Sequence, residues 1–381
     1  MNFTRTLPRV RPQSRVTVLV RALSIGGALL LASPLVAQSL PPEVTSAPTL
    51  AGDAAKRIAE FASAQLARLK GTDHQEREAA RDDLLAPLDG AGVTLAFRLE
   101  YSKALAAELG RIAQSTDDHA AVNALRVSGR LGTPQGVDTL RNALKDARPP
   151  VRLASARTLR EAVRATLSMA QSPVSLSKLQ DATDDLAKAL STEADPLVAK
   201  TMVLAIDATR AGSPTGEQGK LAGRAVERLS AAMADRAAFA RKSVAPSDAA
   251  PWTDAIVTAL DAVRRTFIDP QRSDETRRPE LRKNAAILAG QSVAYLKHRL
   301  AAPGANTSPD APSMKVMANA ASVVLLLING GEEKQVLPGA FNASLDSGDP
   351  AEFNKAADTW LAPGGRLSKP PFSLDASAFT R

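Results

Sequence analysis

The chain has 381 residues, a formal charge of +8 and no cysteine, so its stability must come from burial rather than from disulfides. Five arginines and no acid fall within residues 1–37, and without them the charge drops from +8 to +3. That modest balance excludes a nucleic-acid binder on charge grounds, while 3% aromatics and abundant alanine suit close helix-on-helix packing.

Arg5, Arg9, Arg11, Arg15 and Arg21 precede the apolar run "ALSIGGALLLASPLVA", Ala22 to Ala37. A basic start, a short apolar stretch and small residues near Ala37 have the layout of a secretory signal, so residues 1–37 are expected to direct export. The run has 16 residues and contains Pro34, against the roughly 20 a membrane span needs. An uncleaved anchor tethering the protein is the alternative. Residues 1–37 hold no twin-arginine pair and no cysteine to carry a lipid. Residues 38–49, "QSLPPEVTSAPT", are rich in Pro, Ser and Thr and read as a linker.

From residue 50 to 362 the pattern is helical. In "AKRIAEFASAQLARLKG", Ile58, Phe61, Ala62, Leu66 and Leu69 form an apolar stripe, closed by Lys70 and Gly71. Further helices are predicted near 73–85, 92–114, 118–131, 135–145, 150–167, 174–191, 196–210, 216–241, 252–267, 278–300, 313–328 and 350–361. Most connections are short; 242–251, 268–277 and 301–312 are the longer ones. "VMANAASVVLLLING", Val316 to Gly330, is apolar on all sides and too short to span a bilayer, so it reads as a core helix with no stable membrane span beyond the leader. Runs of alternating β-branched residues are missing, so no strand is predicted. Residues 363–381 lack a period and read as an extended or mobile tail.

Consecutive helices with short links form either a bundle or a solenoid. Val122, Val151 and Val198 can be set in register. Each has an acid five residues earlier (Asp117, Asp146, Glu193) and a helix rich in Ala and Leu after it. This pattern resembles the HEAT repeat, including the short form found in phycobilisome lyases. The closest stretch is "LRNALKDARPPVRLASARTL", with Asp146, Pro150, Val151, Arg152 and Ala156. The resemblance is clearest over 117–210. It implies an all-α fold, a right-handed solenoid of antiparallel helix pairs, working as a binding scaffold. It also implies an inter-repeat ladder made by the acid and the arginine six residues later. Only Asp146 with Arg152 keeps both partners; Asn123 and Ala199 fill the arginine position elsewhere. Pro149 and Pro150 fall in the loop and first helical turn, where a missing N–H costs nothing.

The chain is poor in catalytic patterns. Ser175 and Lys178 form S-x-x-K, but the companion motifs of serine acyl-enzymes are absent. "GSPTGEQGK", Gly212 to Lys220, fails the spacing of a phosphate loop and reads as a helix–helix turn. His74, His119 and His298 are scattered. Asp82–Asp83 and Asp184–Asp185 read as solvated helix faces. No catalytic residue, cofactor or metal ligand is assigned. The competing reading is a glycan- or peptidoglycan-active toroid built from helix pairs, against which stands the scarcity of stacking aromatics: two Trp and two Tyr.

One feature of charge stands out. Between Arg126 and Arg164 eight Arg and one Lys face three acids. On the helix after Pro150, Val151, Leu159 and Ala162 share one side, and Arg157, Arg160 and Arg164 the other. The bland reading is a solvated outer face. The sharper one joins these three to Arg126 or Arg130 as a patch for an acidic partner, an envelope protein or an anionic polymer. The arginine fork suits carboxylate and phosphate groups.

Overall fold

Caps and prolines set the helix boundaries. Asp73, Thr94, Asp117, Ser175 and Asp195 each accept a backbone N–H from the first turn of the helix they precede. Proline opens others, including the Pro149–Pro150 pair. In the computed structural model, which describes residues 39–90, 92–169, 171–330 and 336–380, every regular element is helical and no strand occurs among the described residues. The helices are α1 (Pro42–Thr45), α2 (Gly52–Leu69), α3 (His74–Asp89), α4 (Leu95–Ala113), α5 (Asp118–Leu131) and α6 (Pro134–Ala143). Then come α7 (Pro149–Ser168), α8 (Leu176–Leu190), α9 (Pro196–Asp207), α10 (Gly216–Ser243), α11 (Ala250–Ile268) and α12 (Ser273–Thr276). The last are α13 (Pro279–Leu300), α14 (Ala311–Ile328), α15 (Val336–Ser347), α16 (Ala351–Leu361) and α17 (Ser377–Thr380).

The packing partners alternate. One series runs α2, α4, α6, α8, α10, α13, each helix against the next; a second runs α3, α5, α7, α9, α11, α14 in the same way. Each helix of the first series also packs on the helix that pairs with it in the second: α4 on α5, α6 on α7, α8 on α9, α10 on α11. Small residues permit the close approach. A Cβ on Gly129 of α5 would lie 2.0 Å from Thr158 Cγ2 of α7, and one on Gly136 of α6 would lie 2.2 Å from the Ser128 carbonyl. Leucines such as Leu125, Leu140 and Leu159 are fully buried between the series, each worth roughly 1.5–3 kcal/mol.

Ion pairs fix how the second series runs. At the start of its helices Arg77 pairs with Asp117 at 2.7 Å, Arg148 with Asp118 at 3.0 Å, and Arg152 with Glu193 at 2.7 Å. Lys200 and Asp254 meet at 3.6 Å. At the far ends Arg130 pairs with Asp89, and Arg265 with Asp207 at 3.1 Å. The helices of this series therefore run parallel, with their N-termini along one edge and their C-termini along the other.

Three expectations are corrected. Residues 38–49 are not a free linker where described: Val44 and Thr45 are buried, and Thr45 O accepts from Thr94 N at 3.0 Å. Residues 363–380 are not extended. Leu367, Phe372, Leu374 and Phe379 are buried, and Gln291 Nε2 donates to Ala378 O at 2.9 Å. The described residues from Ser39 onward thus belong to a single unit. The third is α15, a helix over a stretch with no predicted element, whose Leu337, Ala340 and Phe341 are buried. Helix α14 is long and apolar enough to cross a membrane by length and composition. It packs on α11 and α13 and buries Met314, Met317, Val324 and Leu325, as a core helix does. The predicted export segment lies outside the described residues.

Candidate anion-binding edge

The N-terminal edge of the second series is acid-rich by construction. Asp73, Asp117 and Asp195 cap helices there, where the macrodipole favours anions. Hydrogen bonds from Ala120 N–H and from Arg77 hold the Asp117 carboxyl below its ordinary range. Asp146 is held low by the Arg148 guanidinium, which grips it through Nε at 2.9 Å and Nη2 at 2.8 Å. Here the predicted Asp146–Arg152 side-chain pair is corrected. Arg152 donates to the backbone carbonyl of Asp146 at 2.9 Å, and its fork engages both oxygens of Glu193 at 2.8 and 2.7 Å. The rung joins α7 to the turn before α9, and the acid it uses is the register equivalent of Asp146.

The C-terminal edge is basic, and an arginine supplied by another element serves several of its helix ends. Arg98 donates to the Arg130 carbonyl at 3.2 Å and to Leu88 O at 3.3 Å; Arg272 donates to Arg210 O at 3.3 Å; Arg282 donates to Ile328 O. These bonds satisfy terminal carbonyls and oppose the negative end of the dipole.

The five predicted arginines divide along this edge. Arg126 is exposed. Arg130 turns toward α3, pairing with Asp89 and sitting close enough to Arg98 to lower that guanidinium's pKa, an effect led by burial. Among the described residues neither side chain is hydrogen-bonded or ion-paired to α7. Arg157 is exposed, with Glu161 4.0 Å away. Arg164 is exposed, and Arg160 is half-buried. Burial, then Arg164, pushes the Arg160 guanidinium down from its ordinary value, while Asp207 opposes the shift. Its Nε is shielded and has no acceptor. The solvated-face reading therefore fits Arg157 and Arg164 but not Arg160, which turns inward toward the end of α9.

There the structure adds three arginines that the sequence did not single out. The Asp207 side chain, 11% exposed, lies 3.1 Å from Arg265 and 3.8 Å from Arg210. The Arg210 guanidinium is lowered by burial and by Arg265 and Arg272, with Asp207 acting against them. Arg272 is 3% exposed and pairs with Asp269 at 3.1 Å. Arg210 Nε, Arg272 Nη1 and Asp207 Oδ1 are all buried without a hydrogen-bond partner. Sequence held a weak sign of them: "ATRAGSP" and "DPQR" put arginine beside helix-stopping Gly and Pro.

The other motifs carry no catalytic arrangement. Ser175 caps α8 through Lys178 N, and Lys178 Nζ pairs with Asp138 at 2.6 Å. Of 212–220, read as a turn, residues 216–220 instead open α10, and Gln218 Oε1 there accepts from Ser213 N at 2.6 Å. Asp83 and Asp185 bind Arg68 and Arg141 at 2.6 and 2.7 Å, so neither acidic pair forms a carboxylate dyad. His74 and His119 meet edge to face at 4.5 Å between centroids. No group of three His, Asp or Glu able to hold a metal occurs among the described residues. No family model matches the chain, and no curated protein matches it.

Proposed function

We propose that this protein is an exported scaffold of the bacterial envelope, a right-handed solenoid of HEAT-like antiparallel helix pairs that binds a protein or anionic polymer. The basic C-terminal edge of the second helix series carries the reading. From the middle of α7 toward it run Arg157 and Arg164, exposed, with the half-buried Arg160 between them. Stacked helix pairs present extended surfaces of this kind. The two helix series, the parallel run of the second and the Arg152–Glu193 rung between pairs are what a stacked-repeat architecture requires. The leader-like start of the sequence supports export.

The test is capture from envelope extract by the protein and by Arg157→Glu/Arg164→Glu. The double variant leaves Arg160 and Asp207 in place, so its melting temperature should stay within a degree or two. Capture should fall as salt rises from 50 to 500 mM, because exposed charges are screened over about 8 Å at physiological ionic strength. Retention of the same partner by the double variant, with unchanged salt dependence, would reduce these arginines to a solvated face.

A further inference from the structure

Seven arginines gather where α7, from its middle onward, meets the ends of α9 and α11: Arg157, Arg160, Arg164, Arg210, Arg264, Arg265 and Arg272. Four acids stand among them, each ion-paired at least once, although Asp207 Oδ1 itself accepts no hydrogen bond. Asp207 serves Arg265; Asp261 serves Arg264 and Arg265 at 2.6 and 3.1 Å; Asp269 serves Arg272; Glu161 lies 4.0 Å from Arg157. The cluster therefore holds three positive charges in excess. Helix-end compensation explains only part of it. Arg272 serves the Arg210 carbonyl, but the Arg160 and Arg164 guanidinia serve no terminal carbonyl among the described residues.

The unmet donors have a geometry. They come from three separate segments: Arg160 Nε from α7, Arg210 Nε from the turn 208–211, and Arg272 Nη1 from the turn 270–272. A buried donor without an acceptor calls for a missing partner. A carboxylate is planar and is satisfied by one arginine fork. A tetrahedral oxyanion presents oxygens in several directions and matches arginines arriving from three segments. An excess of three charges likewise suits a dianion better than a monoanion.

We propose that this cluster binds a phosphoryl group, with Arg160, Arg164, Arg210 and Arg272 as its ligands and Asp207 as the acid that holds Arg210 and Arg265 in place. Arg160 Nε, Arg210 Nε and Arg272 Nη1 are shielded as the chain stands, so binding requires these side chains to rotate toward the ligand. The inference deepens the anionic-partner reading and rests on it. Phosphate of this kind occurs free, in a polymer or in a lipid headgroup, and the chemistry at the arginines is the same.

Calorimetric titration of the purified protein with inorganic phosphate at low ionic strength should give saturable binding. Arg164→Glu, an exposed change that keeps the fold, should weaken it at least tenfold, and Arg210→Gln should do the same. Arg126→Glu, outside the cluster, should leave it unchanged. Sedimentation with phosphatidylglycerol vesicles, against phosphatidylcholine vesicles, identifies the source. Binding to the anionic vesicles that Arg164→Glu abolishes points to a headgroup; binding to inorganic phosphate alone points to a free or polymeric phosphate. If neither probe binds, or if Arg126→Glu weakens binding as much as Arg164→Glu, the proposal is overturned and the cluster only compensates helix ends. Capture of an envelope partner without phosphate binding would sink this inference and leave the scaffold reading standing. Phosphate binding without any captured partner would do the reverse.

Discussion

Glu193 has a side chain only 2% exposed, and two arginine nitrogens reach it from α7. Removing its partner leaves a buried charge. Arg152→Met should therefore cost about 3–5 kcal/mol, read as a fall in the urea midpoint. Adding Glu193→Gln should recover more than half, because the amide oxygen still accepts from Ala194 N and Asp195 N. No recovery would mean that Arg152 matters for packing alone. Arg157 and Arg160 offer a second contrast on one helix. Arg157→Glu should change stability by less than about 0.5 kcal/mol, whereas Arg160→Glu, facing Asp207, should cost about 1–3 kcal/mol. The acids of the N-terminal edge set the pH response. Asp117 and Asp146 have folded pKa values below their unfolded ones, so they add stability above about pH 4, and it disappears as pH falls through the folded values. The thermal midpoint should drop between pH 5 and pH 2.5, and less steeply in Arg148→Gln, which frees Asp146.

Helices long enough to show a 3.6-residue period were legible in the sequence to within a few residues; the Val316–Gly330 core helix and the Pro149–Pro150 start were too. Elements held by tertiary contact were not. Helix α15 contains Pro338 and Gly339 and has no clean stripe. The C-terminal segment anchors itself through Leu367, Phe372, Leu374 and Phe379, whose spacing carries no period because each fits a different site on the helices beneath. One such site is the surface at Gly290, where an added Cβ would lie 2.6 Å from Phe379 Cε1 and 2.9 Å from Leu367 Cδ1. Gly290→Val should lift the segment at a cost of about 1–3 kcal/mol, and limited proteolysis should then cut after residue 363. Resistance equal to the native protein would contradict this account of the docking. The arginine cluster was hidden for a related reason. Arg160 and Arg210 are 50 residues apart and Arg210 and Arg272 are 62 apart, and only the stacking of α7, α9 and α11 brings them together. The Arg152 partner was within reach, since the register had marked Glu193 as the equivalent of Asp146.

At the scale of the whole molecule, parallel stacking of one helix series sorts charge onto two edges. Dipole-favourable acids cap the N-terminal edge, and arginines serve the C-terminal one. An edge with an excess of one sign draws oppositely charged ligands and loses that pull in salt. The segment before residue 38 is expected to be removed on export, so N-terminal sequencing of protein from its native cell should begin near Gln38; a start at Met1 in the cytoplasm would remove the envelope setting. The central claim is that the C-terminal edge of the second series is the working face. Hydrogen–deuterium exchange on the protein with and without its captured partner tests it most directly. Protection concentrated in the second half of α7, in 207–211 and in 264–272 is the predicted result. Protection confined to the opposite edge, at 117–122, 146–152 and 193–198, would contradict it.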